Sequence, residues 1–187
     1  MAIATSDFRN GLKIEIDGEP YTIVYFQHVK PGKGGAFVRT KIKNLRNGKV
    51  VERTFRAGER VDEPDIEDRK MQYLYADGES LVFMDLQTYE QLPFSQEQVG
   101  DARKYLTENL DVDVLFWNGK PINIDLPAFI ESPIVQCDPG MKGDTAQGGT
   151  KPATVETGAV VMVPLFLKEG ERIRIDTRSG EYVERVG

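Results

Sequence analysis

The chain has little of what catalysis or covalent cross-linking requires. Its 187 residues include one cysteine, Cys137, and one histidine, His28. A single thiol cannot close an intramolecular disulfide, which fits a reducing compartment. One Cys and one His supply no zinc ligand set. A Ser-His-Asp triad would have to use His28, which lies inside a strand pattern. Long apolar runs are also missing. The longest, Ala159 to Leu167 (AVVMVPLFL), is too short to span a bilayer. The start, MAIATSDFRNGLK, lacks the apolar region of a signal peptide. A cytoplasmic protein without membrane contact is expected. Gly32-Lys33 superficially resembles a phosphate loop, but Gly34 stands where Ser or Thr is needed and no helix pattern follows. Asp111 and Asp113 lie one strand period apart, on a face that reads as solvated rather than as an acid–base pair. No enzyme, cofactor or metal is expected.

What is present is an uneven charge. Hydrophobic residues make up 40% and charged residues 29%, ordinary for a folded chain, and the net charge is −6. Residues 1–64 carry 12 Lys/Arg against 8 Asp/Glu, a net of +4, and residues 65–187 carry 12 against 22, a net of −10. Within 30–56 nine basic residues face one acidic residue, Glu52. A cationic patch on an otherwise acidic molecule points to a local polyanion contact.

That patch surrounds the loop Lys30-Pro31-Gly32-Lys33-Gly34-Gly35. Strand patterns flank it, β-branched and aromatic over 21–28 and alternating over 36–44, so it reads as a hairpin tip. The glycines permit positive φ and leave nothing between Lys33 and whatever approaches it. Read alone, it is equally a flexible turn with a solvated lysine. In the following strand Phe37, Arg39, Lys41 and Lys43 face one way and Val38, Thr40 and Ile42 the other. Three cations thus form a row roughly 6.6 Å apart, twice the rise per strand residue. The bland alternative is a solvated face, but such a face tends to mix signs.

The rest of the chain is mostly strand and turn. Asp17-Gly18, Asn47-Gly48, Asp77-Gly78 and Asn118-Gly119 are hairpin signals. Charged residues 62–70, with Pro64, mark a domain boundary. Ser95 opens the one convincing helix. It has capping-box spacing to Gln98, and Val99, Ala102, Leu106 and Leu110 keep the helical period, although Gly100 weakens it. Residues 139–150 form a long loop of Gly and small polar residues, and 158–167 read as a buried strand pair interrupted at Pro164. The architecture expected is mainly β, with a small SH3-like barrel followed by two OB-type barrels.

The order of these features resembles the bacterial elongation factor P family, and the likeness covers essentially the whole chain. Its most specific part is KPATVETGAVVMVPLFLKEGERIRIDTRSGEYV, where Lys151, Ala153, Gly158, Val163, Pro164, Gly170, Asp176, Thr177 and Tyr182 match the family signature. The resemblance implies a three-domain, L-shaped molecule resembling tRNA. A KOW-type SH3-like domain (1–64) would be followed by a central OB domain (65–128) and a C-terminal OB domain (129–187). It implies a monomeric factor that enters the ribosome between the peptidyl and exit sites and relieves stalling at consecutive prolines. Proline is a poor donor and acceptor because its ring fixes φ and its nitrogen is secondary. Lys33 would reach the CCA end of peptidyl-tRNA, which is catalysis by positioning. Arg39, Lys41 and Lys43 would meet RNA. Gly143-Asp144-Thr145 matches the family loop that approaches mRNA in the exit site, though by itself it reads as a connector. Several family members carry an enzymatic extension on the tip residue, which makes Lys33 the position to examine for modification and implies a modifying enzyme as partner. A paralogue of the same fold and an RNA-binding module independent of the ribosome are the alternatives.

Overall fold

The computed structural model describes residues 1–139 and 149–187. The mainly β architecture with one short helix expected from the sequence is what these residues adopt. Strands β1 (Ala2–Ala4), β2 (Lys13–Ile16), β3 (Glu19–Val29), β4 (Phe37–Asn44), β5 (Val50–Arg56) and β6 (Arg60–Asp62) form a six-stranded sheet in the order β1-β6-β2-β3-β4-β5. Asp17 and Gly18 both hold positive φ, as a two-residue hairpin turn with the twist of its strands requires. The core beneath this sheet is Phe8, Ile14, Ile16, Ile23, Val38, Ile42 and Phe55. Phe8 meets Phe55 edge-on at 5.3 Å between ring centroids. Each such side chain contributes about 1.5–3 kcal/mol through burial, which is what fixes the inward parity of β4.

One irregularity in this sheet matters for the surface. A bulge at Val24 shifts the β3–β4 register, so Ile23 pairs with buried Ile42 while Tyr25 pairs with exposed Lys41. Without the bulge Tyr25, two residues after Ile23, would share its inward face.

The second sheet contains β7 (Ile66–Asp77), β8 (Ser80–Asp85), β9 (Gln91–Ser95), β10 (Asp111–Trp117) and β11 (Lys120–Asp125), in the order β11-β10-β7-β8-β9. The capping box at Ser95 is present. Gln98 N–H donates to Ser95 Oγ at 3.1 Å, and Ser95 N–H to Gln98 Oε1 at 2.9 Å. The helix is shorter than the periodicity predicts. Its α-helical part, α1, is only Gln96–Val99, and a 3-10 turn runs over Gly100–Tyr105. Gly100 at φ 62 breaks the helical ladder after one turn. Leu106 is extended, and Leu110 lies beyond the helix.

The third sheet contains β12 (Phe129–Cys137), β13 (Thr150–Val155), β14 (Val160–Pro164), β15 (Arg172–Asp176) and β16 (Tyr182–Val186), ordered β14-β13-β12-β15-β16. Its end strands β14 and β16 approach each other, curling it toward closure. The expected buried strand pair over 158–167 is instead one edge strand and a turn. Val161 and Val163 are buried, whereas Val160 (66%), Met162 (54%) and Phe166 (57%) are exposed. Pro164 offers no N–H to extend the ladder. The chain turns there, with Leu167 N–H donating to the Pro164 carbonyl at 3.2 Å. Residues 1–68 with 115–123 form one compact unit, and 69–114 with 124–187 a second.

Candidate nucleic-acid interface

The tip loop closes the β3–β4 hairpin, whose last register pair is Val29 with Phe37. Lys30 to Gly35 are all exposed. Of the three tip glycines only Gly34 has positive φ (+96), and an added Cβ on any of them would meet nothing within 4 Å. Gly34 is therefore required for the turn, while Gly32 and Gly35 leave the surroundings of Lys33 open. Neither Lys30 nor Lys33 hydrogen-bonds or ion-pairs with any described residue, so both ammonium groups remain available to an external anion.

The row predicted on β4 is present. Arg39, Lys41 and Lys43 are exposed and alternate with buried Val38, Thr40, Ile42 and Asn44. The Thr40 hydroxyl, held inside, donates to the Arg53 carbonyl at 2.6 Å. None of the three cations is ion-paired to a described residue. Glu52 lies across from Lys41 in the β4–β5 register without closing an ion pair. What accompanies the row is aromatic. The Arg39 guanidinium lies 5.9 Å from the Phe37 ring centroid, and the Lys41 ammonium 5.9 Å from that of Tyr25. Arg56 joins the same face as the cross-strand partner of Phe37. Tyr25 could not be anticipated on this face, because periodicity carries no sign of a bulge. Arg56 belongs to the basic segment 30–56, but only the β4–β5 register places it on this face.

Neighbouring basic residues are engaged differently. Arg46 pairs with Glu19 at 2.5 Å, and Arg53 with Asp17 at 3.7 Å. Arg46 also lies 5.6 Å from the Trp117 ring centroid, and the Trp117 indole N–H donates to Glu15 Oε1 at 3.2 Å.

Gly143, Asp144 and Thr145 lie outside the described residues. Among the described residues, Lys151 is buried, and its ammonium donates to the Asp138 carbonyl at 2.5 Å. Among the described residues no group of three or more His, Cys, Asp or Glu is arranged to hold a metal ion. His28 sits edge-on to Phe26 at 5.6 Å, and the Cys137 thiol is directed to the Leu167 carbonyl at 3.8 Å. No helix among the described residues is long and apolar enough to cross a membrane.

Three family models match in succession. They are the elongation factor P KOW-like domain over 4–61, which contains the tip and the cationic row, the elongation factor P OB domain over 66–124, and the elongation factor P C-terminal domain over 130–185. An elongation factor P from Moorella thermoacetica is 59% identical over 184 residues, spanning 98% of this chain and 100% of that protein. The chain belongs to the elongation factor P family. Another family member, from a Synechococcus strain, is 57% identical over 183 residues, covering 98% and 99% of the two chains. The family relationship makes this protein a translation elongation factor and accounts for the KOW-like and OB domains. Among solved structures, eukaryotic translation initiation factor 5A from Methanococcus jannaschii is similar over 67% of this chain and 92% of its own, with 28% identity and a TM-score of 0.54. A Naegleria fowleri protein of that initiation factor's family, 19% identical with a TM-score of 0.53 over 67% of this chain and 98% of its own, shares the fold.

Proposed function

We propose that this elongation factor binds the ribosome between the peptidyl and exit sites and speeds peptide-bond formation at consecutive prolines. Lys33 would contact the CCA end of peptidyl-tRNA and limit its motion. A positioned reactant needs no chemical group from the factor, since holding reacting ends together removes an entropic barrier. Arg39, Lys41 and Lys43 hold RNA phosphates behind the tip. The observation that carries this reading is Lys33 itself. It is an exposed cation on a glycine-flanked loop, free of described partners, at the end of a row of unpaired cations. Family membership supports the same assignment.

The test is translation of a polyproline reporter with Lys33→Ala. Loss of rescue with an unchanged melting temperature is expected, because Lys33 has no packing duty. Wild-type rescue by the variant at physiological concentration would remove the assignment. Lys33 is also the site proposed for enzymatic extension. Intact mass and peptide mapping of protein from its native host would show a shifted Lys33 peptide. An unshifted peptide with full activity would mean that Pro31 and the loop alone orient a bare lysine. For Gly143-Asp144-Thr145 we propose contact with mRNA in the exit site, where Asp144 can accept hydrogen bonds from base donors such as the cytosine amino group. Asp144→Ala would then weaken binding to complexes whose exit site holds a codon more than to complexes without one. Equal loss without that codon would argue against it.

A further inference from the structure

We propose that the groove at the foot of the tip loop, between β4 and β5, binds one unpaired nucleotide of RNA. The proposal rests on the reading of this face as the RNA-facing end, and adds what it takes from RNA beyond phosphate. The groove is open, has a volume of about 710 Å³, and is lined by Gly35, Phe37, Arg39, Thr54 and Arg56 among others. That volume lies within the roughly 300–1,000 Å³ typical of small-ligand sites.

The register sets the groove's chemistry. Phe37 faces Arg56 across the strands and Arg39 faces Thr54, which places two guanidiniums, one ring and one hydroxyl in a two-by-two array. The guanidinium of neither Arg39 nor Arg56 is ion-paired to a described residue. A planar guanidinium lying over Phe37 offers, with the ring, a stacking surface for a base. The second guanidinium is a fork for the adjoining phosphate. The Thr54 hydroxyl can donate or accept at a ribose 2′-hydroxyl or base edge. Gly35 walls the groove with backbone only, and an added Cβ there would meet nothing within 4 Å. One row further from the tip, Tyr25, 44% exposed and beside Lys41, repeats the aromatic-with-cation pairing.

Phosphates alone would need only cations. A base that can reach a ring must be unstacked, which selects a single strand or a strand end over a duplex interior. The cationic face also matches a phosphodiester in charge. An acidic peptide would be attracted by the same cations but has no flat base to set against Phe37 and Arg39.

The experiment uses the full chain with a labelled single-stranded RNA hexamer, the same hexamer in a duplex, and a Glu-rich peptide, each read by anisotropy over a salt series. Phe37→Leu should weaken hexamer binding about fivefold or more without changing its salt slope, and should leave duplex binding unchanged. Exposed Arg56→Gln, which disturbs no core contact, should weaken hexamer binding and reduce its slope by about 0.7. Phe37→Tyr should bind as wild type. The nucleotide site is overturned if wild-type chain fails to bind the hexamer at low salt. It is also overturned if Phe37→Leu binds the hexamer as wild type or weakens hexamer and duplex equally, or if the peptide binds in a Phe37-dependent way. If ribosome binding and polyproline rescue persist under any of these results, only the groove assignment fails. Loss of those two in wild-type protein would remove the broader reading.

Discussion

Strand β4 of the first sheet and the third sheet both carry exposed basic residues, but they treat them in opposite ways. In the third sheet and the turn between β15 and β16, each of the four arginines between 172 and 185 has a carboxylate partner. Glu131 receives Arg172 at 3.5 Å and Arg174 at 3.1 Å, Arg174 also meets Glu184, Arg178 meets Asp176 at 3.1 Å, and Arg185 meets Glu171 at 3.4 Å. In the first sheet Arg39, Lys41 and Lys43 have no ion-pair partner among the described residues. Exposed ion pairs stabilise by only about 0–1 kcal/mol, so the contrast concerns availability more than stability. The third sheet's charges are neutralised locally. The row on β4 sets like charges one strand period apart, at a cost of about 0.6 kcal/mol per neighbouring pair in water. A face that keeps this repulsion is suited to an anion brought from outside.

The largest expected effect follows directly. Replacing Arg39, Lys41 and Lys43 together with Gln should lower ribosome affinity at least tenfold at low salt. The salt dependence should flatten by about 0.7–0.9 for each lost contact. The matching triple, Arg172, Arg174 and Arg185 to Gln, should leave that slope near wild type. Binding to ribosomes carrying peptidyl-tRNA, measured over a salt series, decides it. Equal flattening in both triples would break the comparison.

A second contrast is in the turns. Gly180 and Gly34 both hold positive φ, at +78 and +96, but an added Cβ on Gly180 would come within 3.0 Å of the Tyr105 hydroxyl oxygen, while one on Gly34 meets nothing. Tyr105 packs against the third sheet's core, so it has limited room to withdraw. Gly180→Ala should destabilise by about 2–3 kcal/mol, from backbone strain plus the clash, and Gly34→Ala by about 1 kcal/mol, from strain alone. Thermal melts check both. Polyproline rescue per folded molecule should fall for Gly34→Ala and hold for Gly180→Ala. The reverse pattern would assign the tip a structural role.

Most of this contrast was legible in the residues. Strict alternation over 37–44 gave the parity of Arg39, Lys41 and Lys43, since only one face of β4 could bury Val38 and Ile42. The Asp17-Gly18 and Asn118-Gly119 turns follow from backbone requirements local to two residues. What was not legible depended on register or on long-range contact. The Val24 bulge that brings Tyr25 outward is absent from any periodic pattern. The short α1 reflects Gly100 adopting positive φ, which outweighed the apolar spacing through Leu110. In 158–167, apolar content suggested burial on both faces, whereas an edge strand leaves Val160 and Met162 exposed. The ion pairs of Glu131 need the β12–β15 register, which no short segment encodes.

Asp176 and Arg178 allow a pH test of the paired side. Hydrogen bonds from Arg178, first from its side chain and then from its backbone, hold the Asp176 carboxyl below its ordinary value. A carboxylate with a depressed folded-state pKa contributes stability that is present above its unfolded value, near 4, and is lost as pH falls through the folded value. Arg178→Gln should therefore melt slightly below wild type at pH 6–7, and the two should converge once pH has fallen through the depressed folded-state value of Asp176. A gap that persists at low pH would locate the effect in the Arg178 stacking on Phe129, at 5.6 Å, rather than in the ion pair.

The smallest effect tests whether pairing itself, rather than position in the basic segment, decides which cations serve RNA. Arg46 belongs to the basic segment 30–56, but it is held by Glu19, whose other carboxylate oxygen accepts from the Asn44 side-chain amide at 3.3 Å. Its guanidinium also lies over Trp117, the only tryptophan in the chain. Arg46→Gln should therefore leave the salt slope of ribosome binding unchanged, where Lys43→Gln, three residues earlier on β4, lowers it by about 0.7–0.9. The substitution should instead be seen at Trp117, as a red-shifted emission from an indole that has lost its cover. The accompanying loss of stability should be about 1 kcal/mol, the size of an exposed cation–π contact plus a surface ion pair. The Glu15 carboxylate still accepts from the indole N–H in this variant, so the ring should stay in place and the shift should remain small. If Arg46→Gln flattens the slope as much as Lys43→Gln and leaves the emission unchanged, an internal partner does not withdraw a cation from RNA, and the contrast between the two sheets loses its physical basis.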